Sequence, residues 1–128
     1  MSRDLTIQQA AERTGLSTHT LRYYERVNLL PSIERATNGH RRYSEQDLRW
    51  IEFVKRLRST GMPICEVQHY LETYEQGDAG IAERLEIMEA HRHRLMAKIE
   101  ELDGFLTRIE AKVENYRARV AQQKAATR

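Results

Sequence analysis

The chain has 128 residues, which fits one modest domain with an appendage and excludes two full domains. Its net charge is only +2, but residues 1–60 carry 11 Lys and Arg against 7 Asp and Glu, so the amino-terminal half is the candidate surface for a polyanion. One cysteine excludes an intrachain disulfide framework, and no apolar stretch approaches the roughly 18–20 residues that span a bilayer, so we expect a soluble cytoplasmic protein with no membrane partner.

The first two predicted elements are short helices joined by a glycine turn. Thr6 and Gln9 have the spacing of a capping box, and Gly15 ends the first helix. Ser17 can cap the second helix, whose apolar side takes up one ring of the tyrosine pair at residues 23–24. Two such helices around a tight turn form a helix-turn-helix, in which the second helix meets base edges of DNA.

A two-stranded hairpin, or wing, is predicted for residues 33–43. Pro31 blocks continuation of the second helix, and the pattern then loses its helical period. Asn38-Gly39 is the strongest short hairpin signal in the chain, because both residue types tolerate positive φ. Basic side chains lie near the tip, where arginine can contact phosphate or read guanine bidentately: Arg35, His40, Arg41 and Arg42.

Two further helices and a glycine-bounded linker follow the wing. Ser44 and Asp47 form a second capping box, and apolar residues recur every three positions on the helix that it starts. These residues are Leu48, Ile51, Val54 and Leu57. Pro63 opens the next helix, with Ile64, Val67, Leu71 and Tyr74 on its apolar side. Gly77 and Gly80 bound the linker.

From Ile81 onward, apolar residues alternate in steps of three and four over about forty residues, which predicts a helix roughly 60 Å long. A stripe so long and narrow needs a second helix, most simply its own copy across a two-fold axis. Charges beside the stripe would by themselves favour a parallel pair, because opposite signs flank its two sides. One side carries Arg84, His91, Lys98, Lys112 and Arg119, and the other carries Glu89, Asp103 and Glu110.

Read together, these motifs resemble the MerR family of transcription regulators. The resemblance is carried by LRYYERVNLLP, NGHRRYS and WIEFVKRLRSTGMP, and it covers residues 4 to about 120. It implies a mainly α fold in which the long helices pair as an antiparallel coiled coil in a homodimer. The implied parts are a winged helix-turn-helix DNA-binding domain at residues 1–76 (wing 33–43, second helical wing 44–76), a linker at 77–80, a dimerisation helix at 81–120 and a flexible tail at 121–128.

The resemblance also implies a set of DNA-contacting residues. On the second helix these are Thr18, His19, Thr20, Arg22, Tyr23 and Tyr24; on the wing, Arg35, His40, Arg41, Arg42 and Tyr43; on the second wing, Lys55 and Arg58. The tyrosine pair either reaches phosphates or seats the helix, and one of its rings is expected in the core. For each arginine, the alternative is an ordinary solvated surface side chain.

The stimulus to which the protein responds is less marked in the sequence. The resemblance is to the branch associated with aldehyde and electrophile stress, whose members often carry a cysteine where this chain has Arg56. Cys65 lies in the first turn of the next helix, where a thiol can be reactive, and the alternative is a small buried hydrophobic side chain. His91 and His93 point to different helix faces, and one cysteine cannot form a thiolate-rich site, so we predict no metal and no cofactor.

We therefore predict a regulator that binds double-stranded promoter DNA as a homodimer and distorts it to control RNA polymerase. Its signal is expected to be a small-molecule effector or an electrophile. The alternative is an effector-independent DNA-architectural or interaction protein of the same fold. An enzyme is not predicted, because the sequence contains no nucleophile–base pair, paired acids or phosphate loop.

Overall fold

The computed structural model describes residues 4–127, and within them the chain is mainly α-helical, as predicted. Residues 1–3 and 128, the outermost parts of the predicted DNA-binding domain and tail, lie outside the described residues. The elements in chain order are α1 (Ile7–Thr14), α2 (Thr18–Arg26), β1 (Glu34–Arg35), β2 (Arg41–Arg42), α3 (Glu45–Ser59), α4 (Ile64–Glu75), a 3-10 turn (Gly77–Gly80) and α5 (Ile81–Ala126). Among the described residues, no helix is both long and apolar enough to cross a membrane.

The predicted helix-turn-helix is formed by α1 and α2. Thr6 and Gln9 cap α1 reciprocally, with each side chain bonded to the other residue's backbone N–H. Gly15 ends α1 in the left-handed conformation at φ +75°, which an L side chain rarely adopts. Ser17 then caps α2 by accepting a hydrogen bond from the Thr20 N–H over 3.0 Å.

The hydrophobic core lies beneath α2, the wing and α3. The predicted apolar face of α3 is confirmed, since Leu48, Ile51, Val54 and Leu57 are all buried. Two side chains fix the turn that follows α2. Trp50 donates from Nε1 to the Leu29 carbonyl over 3.1 Å, and Gln68 donates from Nε2 to the Val27 carbonyl over 2.6 Å. The second helix is thus attached to both α3 and α4.

The wing pairs Glu34 with Arg42 and Arg35 with Arg41 in an antiparallel register. The Gly39 N–H donates to the Ala36 carbonyl over 2.9 Å, and Gly39 lies at φ +84°. This is the geometry of a type I turn followed by a left-handed glycine bulge. The location of the hairpin was predicted correctly, but Asn38 does not adopt positive φ; Asn28 is the sole non-glycine residue that does so among those described.

The segment predicted as a linker is a tight 3-10 turn between α4 and α5. Arg84 fixes it by donating to the carbonyls of Thr73, over 2.7 Å, and Gly77, over 3.0 Å. Gly80 is buried and closely approaches the Thr73 backbone. The Arg84 guanidinium also lies 4.9 Å from the ring centroid of Tyr74, which is exposed although the sequence placed it on the apolar side of α4.

The first compact unit of the chain continues beyond the predicted boundary at residues 77–80 and ends at Glu89. The reason is packing, because Ile87 is buried and Met88 is half-buried against the core. The first turns of α5 therefore belong to this unit.

The second compact unit is the remainder of α5. Helix continues to Ala126, so residues 121–126 are helical where a flexible tail was predicted. A stripe of apolar side chains along this part is 40–58% exposed, comprising Met96, Ile99, Leu102, Phe105, Leu106, Ile109, Val113, Tyr116 and Val120. An exposed stripe of this length is unusual on a monomeric protein and indicates a binding surface.

Candidate nucleic-acid interface

Four of the predicted DNA-contacting residues line a single groove of about 550 Å³, which we call the basic groove. Arg22 enters it from α2, and Arg35, His40 and Arg41 enter it from the wing. Its remaining wall includes residues 6–8 at the start of α1, which sequence reasoning did not assign to the site. Because a helix amino terminus carries partial positive charge, this wall adds to the attraction for an anion. The capping box of α1 was the signal that could have located it.

On α2, the polar and apolar sides divide as a recognition helix requires. Leu21 is fully buried and Tyr24 is nearly so, whereas His19 and Arg22 are exposed one turn apart. Tyr23 is half-buried, and the Arg26 guanidinium lies 5.7 Å from its ring centroid. The core side therefore holds α2 in place while His19 and Arg22 project outward.

Thr18 and Thr20 are half-buried in the first turn of α2. The Thr20 hydroxyl lies 2.9 Å from the Ser17 hydroxyl, and its backbone N–H donates to the same oxygen. Thr20 thus takes part in the cap of α2. Thr18 is the first residue of the helix and directly follows the capping residue Ser17.

Glu25 is a site residue that the sequence did not reveal. Its carboxylate forms an ion pair with Nε of Arg41, and its second oxygen lies 3.9 Å from Nη2 of Arg35. Arg35 also donates from Nη1 to the Gly39 carbonyl over 3.0 Å. The available signal was the position of Glu25 near the end of α2 in a chain whose wing carries several arginines.

Arg42 lies apart from the basic groove. Its cross-strand partner is Glu34, and successive residues of a strand point to opposite faces, so Arg42 projects away from Arg41. It lines a separate groove with Glu34 and Asp47 among its neighbours. The structure therefore separates Arg42 from the other three basic residues predicted near the wing tip.

Tyr43 is in the core, which corrects the prediction that it contacts DNA directly. Its side chain has no exposed surface, and its backbone exchanges two hydrogen bonds with Leu5, of 2.7 and 2.9 Å. This bridge holds the base of the wing against the residues before α1, so the ring turns inward. Its hydroxyl is buried without a hydrogen-bond partner in the described structure. Burial raises the pKa of Tyr43, and the nearby Glu25 carboxylate raises it further.

Tyr24 is also in the core, at 7% exposure. Burial raises its pKa, and the Arg58 guanidinium partly offsets that rise. The sequence left open whether the tyrosine pair reaches phosphates or seats the helix. Burial of Tyr24 indicates that this residue seats the helix.

Lys55 and Arg58 use their cationic groups in hydrogen bonds to the backbone. Lys55 donates from Nζ to the Thr14 carbonyl over 2.6 Å, at the carboxyl end of α1, where a cation is favourable. Arg58 donates from Nη1 to the Met62 carbonyl over 2.8 Å and so fixes the turn before α4. Neither residue lines the basic groove, and their contact with DNA stays a prediction.

Cys65 is exposed in the first turn of α4, so the alternative of a small buried hydrophobic side chain is wrong. On α5, His91 is buried and His93 is exposed, in agreement with their predicted placement on different faces. Across residues 4–127, no group of three or more His, Cys, Asp or Glu side chains is arranged to hold a metal ion.

Comparison with known families gives two overlapping matches. The family model described as "MerR HTH family regulatory protein" matches residues 5–74, and the one described as "MerR, DNA binding" matches residues 48–112. The first covers the helix-turn-helix, wing and most of α4, and the second extends into α5. The matches therefore include every residue of the basic groove and about the first two thirds of the long helix.

Similar proteins of known sequence are transcriptional regulators by name. An uncharacterized HTH-type transcriptional regulator of Haemophilus influenzae is 35% identical over 111 residues, covering 87% of this chain and 82% of that protein. The HTH-type transcriptional regulator AdhR of Bacillus subtilis is 40% identical over 92 residues, covering 72% and 66% respectively.

Two solved structures resemble the chain over nearly its whole length. HiNmlR, a MerR family regulator lacking the sensor domain and bound to promoter DNA, superposes with a TM-score of 0.83 at 34% identity, covering 89% of this chain and 90% of that one. A MerR family transcriptional regulator from Bacillus thuringiensis superposes with a TM-score of 0.80 at 28% identity, covering 88% and 98%.

Proposed function

As the chain belongs to the MerR family of helix-turn-helix transcription regulators, we propose that it binds double-stranded promoter DNA as a homodimer and distorts it to control RNA polymerase. It is a regulator and not an enzyme. Because promoter DNA is its proposed target, we further propose that the protein acts in the cytoplasm.

The observation that carries the proposal is the basic groove. Arg22, Arg35, His40 and Arg41 come from two elements and meet at the start of α1, where they can surround a backbone phosphate. His19 and the outer part of Arg22 face away from the core, so they are available to base edges once a phosphate fixes the helix. HiNmlR, which has the same fold over 90% of its length, is bound to promoter DNA.

The proposed dimer forms through α5. Its exposed apolar stripe has the spacing of a coiled-coil seam, and burying it against a second α5 would cover most of the large apolar side chains that are exposed among the described residues. We infer an antiparallel pair from the family, although the flanking charges favour a parallel one, because exposed charge pairs are worth only about 0–1 kcal/mol each. In this arrangement the compact unit that ends at Glu89 binds DNA, and the remainder of α5 dimerises.

The signal is proposed to be a small molecule or an electrophile, with Cys65 as the candidate sensing residue because its thiol is exposed. A second candidate function is an effector-independent DNA-architectural or interaction protein. One specific observation favours it: HiNmlR lacks the sensor domain, and this chain covers 90% of its length.

Selection from a pool of random DNA duplexes tests the DNA-binding proposal. We expect the protein to enrich an inverted repeat and to bind it less tightly as salt rises, because counterions are released when phosphates are neutralised. Failure to enrich any sequence would contradict it.

Transcription in vitro from a template that carries the enriched site, with and without formaldehyde, then compares wild type with Cys65→Ser. Sensing requires a response in the wild type that the variant lacks.

A further inference from the structure

Two arginines face each other on one side of the wing. Arg35 and Arg41 are Cα partners in the β1–β2 register, so their side chains leave the sheet on the same face. Like charges directly opposite each other on a sheet repel and destabilise the pair of strands. An anion beside these two guanidinium groups would therefore stabilise the wing.

In the free protein, that anion is Glu25 of α2. Each of its carboxylate oxygens faces one arginine, Oε2 toward Nε of Arg41 and Oε1 toward Nη2 of Arg35. The side chains of Glu25 and Arg41 are only 21% and 24% exposed, so water screens their attraction less than that of a surface pair. The contact also joins the end of α2 to both strands of the wing.

Both arginines also line the basic groove, with Arg22 and His40. A backbone phosphate is, like a carboxylate, an anion whose oxygens accept charge-assisted hydrogen bonds from guanidinium groups. A phosphate in this groove would meet arginines that are already neutralised, and it would be repelled by the Glu25 charge beside them. The two anions therefore compete for the same two side chains.

We propose that Glu25 is an internal competitor of DNA phosphate, which holds Arg35 and Arg41 in the free protein and releases them to the DNA backbone on binding. This inference rests on the DNA-binding function proposed above. Glu25 thereby weakens attraction to DNA of any sequence, because phosphate contacts are independent of sequence. The opposite role, in which Glu25 orients Arg41 within the complex, predicts an effect of the opposite sign.

The test measures fluorescence anisotropy of a labelled mixed-sequence duplex at several NaCl concentrations. Replacement by the neutral isostere, Glu25→Gln, is expected to lower Kd about fivefold at a given salt concentration, which is the scale of one partly shielded ion pair. A Kd that is unchanged or higher overturns the proposal. Absence of any salt-dependent binding by the wild type would instead count against the DNA-binding function itself.

Removing any negative charge near DNA raises affinity somewhat, and Glu34→Gln controls for this effect. Glu34 is in the same wing but on the strand face opposite Arg35 and Arg41. We expect less than about a twofold change in Kd from this variant, because the lost charge is exposed and screened. Equal gains from the Glu25 and Glu34 variants would mean that general charge explains the result, and would overturn the proposal.

Two further variants separate arginine release from damage to the wing. In a chain that already carries Arg35→Gln and Arg41→Gln, the gain from Glu25→Gln should fall to that of the Glu34 control, less than about twofold, and persistence of the full fivefold gain contradicts the proposal. If thermal melting followed by circular dichroism shows that Glu25→Gln does not fold, Glu25→Asp replaces it. That variant keeps the charge on a shorter side chain and should bind the duplex tighter than wild type; weaker or equal binding overturns the inference.

Discussion

Gly80 lies directly against the backbone of Thr73. A Cβ on Gly80 would come within 2.0 Å of the Thr73 carbonyl oxygen, which also accepts a 2.7 Å hydrogen bond from Arg84. The start of α5 is thus attached to α4 through a contact that only glycine allows.

Gly80→Ala should lower the free energy of unfolding by about 3 kcal/mol, because backbone must move to admit the methyl group. The matched control is Gly104→Ala, where the added Cβ meets nothing within 4 Å inside an α-helix. That change should raise stability by about 0.5–1 kcal/mol, since alanine loses less backbone entropy than glycine. Urea denaturation measures both, and similar effects from the two variants would contradict the close contact.

Arg22→Ala should weaken binding to the selected duplex by about 10–100-fold without changing the thermal melt, because the side chain is exposed and lines the basic groove. Arg49→Ala is the matched control. Arg49 is an exposed arginine of α3 that bonds to Gln46 and lies outside the lining of that groove. Anisotropy titrations compare the two variants, and equal losses of affinity would show that the groove has no particular role.

Tyr43→Phe should leave the affinity for DNA within about twofold of wild type and raise the free energy of unfolding by about 1 kcal/mol. The reason is that the hydroxyl is buried without a partner, and an unsatisfied buried polar group is costly. Urea denaturation and anisotropy measure the two quantities. A tenfold loss of affinity would instead show that Tyr43 reaches DNA, as the family resemblance implied.

The same tyrosine gives the protein a pH dependence in alkaline solution. Because burial raises the pKa of Tyr43 above the ordinary value of 10.0, the unfolded state loses its proton first as pH rises. The stabilising contribution is complete below pH 10.0 and is lost above it. Tyr24 and Tyr70 shift in the same direction, so Tyr43→Phe should reduce the loss of stability without abolishing it. Urea midpoints from about pH 8 to pH 11 test this.

Leu102→Glu should convert the dimer to a monomer, because it places a charge in the exposed apolar stripe of α5. Ala111→Glu is the matched control. It adds the same side chain on the opposite face of the helix, because nine residues at about 100° each bring the chain halfway round the axis. Light scattering during size-exclusion chromatography should give twice the chain mass for wild type and for the control. A wild type that runs as a monomer would contradict dimerisation through this stripe.

Features with local causes could be predicted from the sequence. The capping pairs Thr6–Gln9 and Ser44–Asp47 lie three residues apart, so their spacing alone located the starts of α1 and α3. The type of the hairpin turn could not be predicted from residue spacing. The turn type depends on the number of loop residues, and the pairing of β1 with β2 decides that number.

Features that depend on residues distant in sequence were missed. Tyr43 turns inward because its backbone pairs with Leu5, and nothing in the NGHRRYS motif records that pairing. Glu25 was overlooked because its role appears only when α2 lies beside the wing, with Arg35 and Arg41 both turned toward it. The basic residues of the wing could be recognised from their residue types. Which of them face the basic groove and which face the other side of the wing depends on how β1 pairs with β2.

Hydroxyl-radical footprinting on the selected duplex tests the central claim, that two copies of the basic groove read one promoter site. At a protein concentration close to the wild-type Kd, we predict two protected patches related by two-fold symmetry, both lost in Arg22→Ala and both retained in Arg49→Ala. A single patch without symmetry, or protection that survives Arg22→Ala, would contradict the account.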